Sequence, residues 1–260
     1  MLKTFLKKFW RQMYPKEIDG LDRLFTQYYN DIYQHEDIKV IFDIGSRDAL
    51  QSVELSERFP NATIYAFECN PGTIPLCHEN AKGNSKIKII EKAVTDYDGE
   101  ITFYPVNMDK SSKDGGDLAG HHKSIVVGTS SLFRKGTTNH DDGTIITHDE
   151  ITVPCTRLDT FCKQEGIKEI DIIWMDLEGA ELLALKSLGE YIRTIKILQT
   201  EATILDENNK TGMAGFINID KYISGFGFDL LEKKRIQANL QNEGHTDVQY
   251  INKAFYLYNK

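Results

Sequence analysis

Five short runs that are apolar rather than alternating, with helix-length segments between several of them, constrain what this chain can fold into. They are Lys39 to Gly45 (KVIFDIG), Thr63 to Glu68 (TIYAFE), Ile87 to Val94 (IKIIEKAV), Ile170 to Met175 (IDIIWM) and Ile195 to Thr200 (IKILQT). Such strands are buried on both faces, as in a parallel sheet covered by helices. Leu50 to Phe59 and Pro71 to Ala81 are long enough to be crossover helices. The pattern predicts an α/β fold with a doubly wound, mostly parallel Rossmann-like sheet. Phe228 to Ile236 and Ala254 to Tyr258 are read as closing strands.

Two regions depart from this rhythm. Asn107 to Glu150 is rich in Gly, Ser, Asp, Lys and His. It is read as an insertion, about 101–155 with its flanks, lying over the active-site end of the sheet. Ile101 to Val106 and Ile151 to Val153 flank it as extra strands that pair with each other. The other region is residues 1–35, read as a helical cap ahead of one domain at 36–260. Its Leu2, Phe5, Phe9, Trp10 and Met13 recur at helical spacing among Lys3, Lys7, Lys8 and Arg11. Such a helix either packs on the domain or touches an anionic membrane surface or a protein partner.

Charge and cysteine usage narrow the partners. A net charge of -8 argues against a nucleic-acid backbone and suits a small or carbohydrate ligand. The 4 cysteines form no C-x-x-C pair, which predicts reduced thiols and no zinc site. No apolar run approaches the ~20 residues of a membrane span, and basic residues interrupt any signal-peptide core. The expected compartment is cytoplasmic.

In open α/β sheets, ligands bind beyond the carboxyl ends of the strands, where strand order reverses. The first run ends Asp43-Ile44-Gly45-Ser46-Arg47-Asp48. Gly45 lets the chain turn tightly and lets a ligand approach the backbone. Asp43 either accepts from an ammonium group or orders the loop. The second run ends Phe67-Glu68-Cys69-Asn70-Pro71. Glu68 stands at the spacing from Gly45 expected of an acid that accepts from a ribose diol. A dinucleotide fingerprint would need glycines where Arg47 and Leu50 stand, so the pyrophosphate cradle is missing. S-adenosylmethionine carries a ribose and no phosphate, and satisfies both observations. Ser46, Arg47 and Cys69 are candidate neighbours of the same ligand. Ala93 and Val94, read as the end of the third strand, are placed beside the adenine.

The second half contains Met175-Asp176-Leu177-Glu178-Gly179-Ala180-Glu181, preceded by Thr156-Arg157-Leu158-Asp159. With Asp43-Ile44-Gly45 and Phe67-Glu68, these elements resemble the FkbM-type methyltransferases over roughly residues 38–205. Ser130-Ser131-Leu132 resembles a serine-containing segment common in that family. The resemblance implies a class I methyltransferase sheet, S-adenosylmethionine as cofactor, and O-methylation of sugars or other natural-product scaffolds. The family's first loop usually reads G-A-N-x-G; here Arg47 replaces the Asn and Ala49 the second glycine.

A sugar hydroxyl is a weak nucleophile, so a general base or metal is useful. Asp176 ends the fourth parallel run, Glu178 lies two residues on, and Glu201 ends the neighbouring run. These three are the catalytic candidates, expected to converge at one mouth. Asp176 and Glu201 are also candidate ligands for Mg²⁺ or Mn²⁺. Glu181 is read as complementing a helix dipole. His121, His122, His140 and His148 in the insertion are either lid bases or solvated loop residues, and His245 is read as a surface turn. Two other readings stay open: an NAD-dependent sugar-modifying enzyme, and a non-catalytic module that keeps the fold.

Overall fold

The computed structural model describes residues 38–113, 116–117, 128–133, 137–139, 143–203, 213–231, 236 and 245–256. The N-terminal cap and His121, His122 and His140 lie outside the described residues.

The chain opens with β1 (Val40–Ile44), α1 (Leu50–Arg58), β2 (Thr63–Phe67), α2 (Ile74–Ala81) and β3 (Ile87–Ile90). The expected third run does not continue as one strand. It stops before Glu91-Lys92, and Ala93–Val94 forms β4 in a different sheet. The charged pair marks the break, because Glu91 turns outward to pair with His78. Pro71 sits in the turn, and α2 starts only at Ile74 with Thr73 as its N-cap residue.

β5 (Gly99–Phe103) leads into the insertion, which has strands of its own: β6 (Ser112–Lys113), β7 (Gly116–Asp117), β8 (Thr137–Asn139) and β9 (Thr144–Thr147). These make a small sheet in the order β7-β6-β9-β8. β10 (Ile151–Thr156) then returns antiparallel to β5, pairing Ile151 with Phe103 and Val153 with Ile101. The flanks of the insertion therefore pair as expected, with β4 added parallel to β10.

The second half runs α3 (Leu158–Glu165), β11 (Ile172–Met175), α4 (Glu181–Ser187), β12 (Ile197–Thr203), α5 (Phe216–Ser224), β13 (Phe228–Leu230), β14 (His245–Asn252) and α6 (Lys253–Tyr256). Three expectations fail here. The run from Phe228 to Ile236 is a strand only as far as Leu230, and Ile236 is helical. The final strand is His245–Asn252, not Ala254 to Tyr258, which lies mostly in a short helix. His245 starts that strand opposite Thr203 rather than occupying a turn.

The main sheet has the order β13-β14-β12-β11-β1-β2-β3. β3, β2, β1, β11 and β12 are parallel, and β14 is antiparallel to β12. One face packs Phe42, Phe67, Ile173, Met175, Leu198 and Tyr250 against α3, α4 and α5. Phe42, Tyr65, Phe67 and Phe161 meet there mostly edge to face at 5.0–6.0 Å. Each such pair contributes about 0.5–1.5 kcal/mol beyond its buried area. The opposite face packs Ile41, Ile64, Ile172, Ile197 and Ile251 against Leu55 and Phe59. Both faces are filled, which is why these runs are apolar without alternation.

Strand order reverses between β1 and β11, and their carboxyl ends touch there. Gly45 turns at φ 84°, and a Cβ on it would overlap the Asp176 carbonyl oxygen. The glycine is thus required by the neighbouring strand's backbone, a different reason from the ligand approach expected of it. Replacing Gly45 by Ala should cost at least the roughly 1–3 kcal/mol of a strained left-handed residue. Urea unfolding measures this loss; a variant as stable as the parent would contradict the contact.

Candidate functional site

A cavity of about 200 Å³ opens at this switch point. It extends from the loop after β1 past Glu68 to Val94 on one side, and to Asp176 and Asp247 on the other. Asp43, Gly45, Ser46, Arg47, Glu68 and Cys69 all line it, as do Ala93 and Val94. Although Ala93 and Val94 do not end the third strand, β4 still carries them to the cavity. Ser130, Ser131 and Leu132 reach it from the insertion.

The first loop is held by its own hydrogen bonds. Gly45 N and Ser46 N donate to Phe67 O at 3.0 and 2.9 Å. Arg47 N donates to Glu68 Oε2 at 2.8 Å. Asp48 N and Ala49 N donate to Ser46 O, and Leu50 N to Asp48 Oδ1. Six consecutive amides are therefore engaged, and none is left to cradle a phosphate. Arg47 and Ala49 both adopt left-handed φ, at 53° and 60°. Ala49 thus keeps the conformation that a glycine would take there without strain.

Two buried carboxylates organise this end. Asp43, 1% exposed, accepts from the hydroxyls of Ser46 and Ser52. These two bonds order the loop. Burial pushes its carboxyl up to about 6 against those hydrogen bonds. Glu68, 9% exposed, accepts at Oε1 from Cys69 N and Asn70 N, and at Oε2 from Arg47 N. Burial pushes it up to about 7. Its carboxylate ties the first two loops together while facing the cavity. The thiol of Cys69 is raised as well, by burial and then by the Glu68 charge. All four cysteines are free thiols.

On the other side of the switch point, Asp176 N donates to Ile44 O at 3.0 Å. β11 has ended by then, and Glu178 is at φ 51° in a turn, so no continuing strand aligns it with Asp176. The turn does so instead. Glu181, 3% exposed, accepts from Leu177 N and Gly179 N at 3.0 and 3.1 Å. It closes the turn from inside and, as the first residue of α4, also complements the helix dipole. Ser131 Oγ donates to Glu178 O at 2.9 Å, anchoring the turn to the insertion.

Carboxylate oxygens of Asp176, Glu178 and Glu201 lie within 4.8 Å of one another. Glu201 is not the last residue of β12, which runs on to Thr203. Asp176 is exposed to the cavity, yet protein encloses that space. Enclosure raises its carboxyl well above the ordinary carboxylate range, and the charges of Glu201 and Glu178 raise it further. Asp247 is directly opposite Glu201 in register and lines the cavity, whereas Glu201 does not.

Several lining residues escaped sequence reasoning: Gln51, Asn70, Lys92, Trp174, Gln199 and Asp247. Register explains Trp174 and Gln199, which pair with Asp43 across β1, β11 and β12. By contrast, Thr156-Arg157-Leu158-Asp159 lies off the cavity. Asp98 accepts from Thr156 Oγ1 and Arg157 N, while Arg157 pairs with Asp159 through two nitrogens. That motif locks β10 to α3. His148 is a bridge residue with its ring against Thr129 O, and it does not line the cavity.

A doubly wound sheet with this strand order, its antiparallel β14, and a cavity at the switch point beside a loop whose amides are engaged define the class I methyltransferase fold. The chain belongs to the FkbM methyltransferase family: the model of the methyltransferase FkbM domain matches residues 42–230. The 2-O-methyltransferase NoeI of Sinorhizobium fredii is 31% identical over 162 residues, covering 62% of this chain and 62% of that protein. Methyltransferase 1 of Beauveria bassiana is 25% identical over 167 residues, again 62% of each. The chain thus spans about 62% of the length of these curated relatives. Among solved structures, a precorrin-6y C5,15-methyltransferase from Geobacter metallireducens has TM-score 0.38 and 14% identity, over 75% of this chain and 65% of that one. TrmK of M. capricolum with S-adenosyl-homocysteine has TM-score 0.40 and 11% identity, over 85% and 65%.

Asp43 and Glu68 keep their protons in the folded chain at pH values where unfolded carboxylates have lost them. Their contribution favours the fold fully below about pH 4 and is lost as pH rises through about 6 to 7. Replacing Glu68 by Gln removes its share. Urea midpoints taken from pH 5 to pH 8 should therefore fall less steeply in the variant; equal slopes would contradict the burial.

Proposed function

We propose that this chain is a S-adenosylmethionine-dependent O-methyltransferase acting on a hydroxyl of a sugar, glycan or related natural product. One observation carries the reading. A buried acid suited to a ribose diol and an acid suited to accept a proton share one cavity across the switch point, beside a loop with no free amide for a phosphate. The spent amides count against the NAD-dependent alternative. The retained acids count against a module that has lost catalysis.

The residues divide the work as follows. Glu68 accepts from the ribose hydroxyls, and Ala93 and Val94 flank the base. Gly45, Ser46 and Arg47 lie along the path from the ribose to Asp176. The bound cofactor supplies a methyl group, which forms a C–O bond to the acceptor as its S–C bond breaks and leaves a neutral thioether. Asp176 takes the proton of the attacking hydroxyl. Its raised affinity for a proton suits a base working near neutral pH. Glu178 and Glu201 make protonation of Asp176 favourable by relieving like-charge repulsion.

A divalent cation held by Asp176 and Glu201 is a second reading, favoured by the close approach of the three carboxylates. Turnover that survives exhaustive chelation rejects it; activity lost on chelation and restored by Mg²⁺ or Mn²⁺ supports it. No helix among the described residues is long and apolar enough to cross a membrane. We keep the cytoplasmic compartment, and an N-terminal contact with a membrane surface or protein partner, as parts of the proposal.

Replacing Asp176 by Asn should lower turnover about 10²–10⁴-fold, the range of a lost general base, while S-adenosylhomocysteine still binds in calorimetry. Undiminished turnover would remove Asp176 from the chemistry.

A further inference from the structure

The turn between β2 and α2 spends its backbone donors on itself. Cys69 N and Asn70 N both donate to Glu68 Oε1, at 2.8 and 2.7 Å. Gly72 N donates to Asn70 Oδ1 at 2.9 Å. Thr73 N and Ile74 N donate to Asn70 O, and so does the Thr73 hydroxyl. Pro71 has no amide hydrogen to give. Every amide from Cys69 to Ile74 is therefore engaged, as in the loop after β1. A nucleoside base placed here finds no backbone N–H in this turn to read it.

One side-chain donor remains. Asn70 is 8% exposed and lines the cavity together with Glu68. The backbone settles which way its carboxamide lies. Gly72 N can only donate, so the atom it meets is the carboxamide oxygen. Nδ2 is then the free arm, and it donates to nothing among the described residues. A nearly buried donor at a cavity wall is costly unless something accepts from it.

What it meets follows from the layout of an adenosine in the pose proposed above. The ribose is on Glu68 and the base lies beside Ala93 and Val94, so the glycosidic bond falls between them. Adenine N3 lies on the edge next to that bond and carries a lone pair without a hydrogen. N1 and the exocyclic amine are on the far edge, and N7 is across the five-membered ring. Asn70 is tied to Glu68 by its own amide, so its carboxamide stands at the ribose end of the base rather than at the far edge.

Resting on the methyl-transfer reading above, we infer that Asn70 is a specificity residue of the donor site, its Nδ2 donating to the ring N3 of the adenine. The side chain takes over a reading task for which the turn has no amide to spare. A site built around a hydrogen bond rejects an analogue that lacks the acceptor far more strongly than an apolar wall would.

The test needs no methyl acceptor. Calorimetry on the full chain compares S-adenosylhomocysteine with its 3-deazaadenosyl analogue, in which a C–H replaces N3. Asn70→Ser keeps an oxygen that can accept from Gly72 N and removes the carboxamide nitrogen. Asn70→Asp keeps the same acceptor and puts a second oxygen where the donor was. The parent should bind S-adenosylhomocysteine at least tenfold more tightly than the analogue. In both variants that preference should shrink to about twofold or less, the signature of a coupled residue–ligand pair. Urea midpoints check that the variants fold; should one fail, the other gives the same ratio. A parent that binds the two ligands equally, or a preference that survives in a folded variant, overturns the assignment. So does an equal loss for both ligands, which would place the donor on a ribose oxygen. Failure of S-adenosylhomocysteine to bind the parent at all would instead overturn the methyl-transfer reading beneath it.

Discussion

Gly45 and Asp176 touch through their backbones at the place where the sheet changes direction, and the rest of the site depends on that contact. A side chain at position 45 would push β1 and β11 apart at their carboxyl ends. With hydrogen there instead, Asp176 N reaches Ile44 O, and the acid that follows β11 stands beside the loop that follows β1. Glu68 then draws the second loop onto the first by accepting from Arg47 N. One cavity results, with Glu68 on one side and a carboxylate cluster on the other.

The same packing sets the chemistry of both acids. Burial pushes Glu68 up to about 7 even though three amides point at it. A ligand hydroxyl donating to its carboxylate would favour the charged form, so ligand binding and proton release at Glu68 are coupled. Asp176 is held up mainly by enclosure and then by neighbouring charge. The insertion contributes to this, since Ser131 pins the backbone of Glu178. It is thus part of the site wall as well as a cover.

The five parallel strands were legible because helices cover both their faces, leaving runs such as Val40–Ile44 with little reason to alternate. β14 was not. Thr246, Val248 and Tyr250 face one way, but Asp247, which lines the cavity, and Gln249, which donates to Gln199, face the other, so polar groups replaced the apolar half of the pattern. For the same reason Gln199 and Trp174 passed unnoticed: their place at the cavity comes from register with Asp43, which depends on strand order. The insertion's strands are two to four residues long, too short to show a period. Motifs were legible as family marks but not always as site. Asp176 and Glu178 line the cavity, whereas Thr156-Arg157-Leu158-Asp159 holds β10 and α3 together.

The central claim is that this switch point accommodates an adenosine without offering a phosphate any backbone donor. Calorimetric titration of one preparation with S-adenosylhomocysteine and with NAD⁺ addresses it directly. Saturable binding of the thioether nucleoside, undisturbed by excess NAD⁺, is the outcome expected from a loop whose amides from Gly45 to Leu50 are all engaged. Binding of NAD⁺ in competition with the nucleoside would contradict the account.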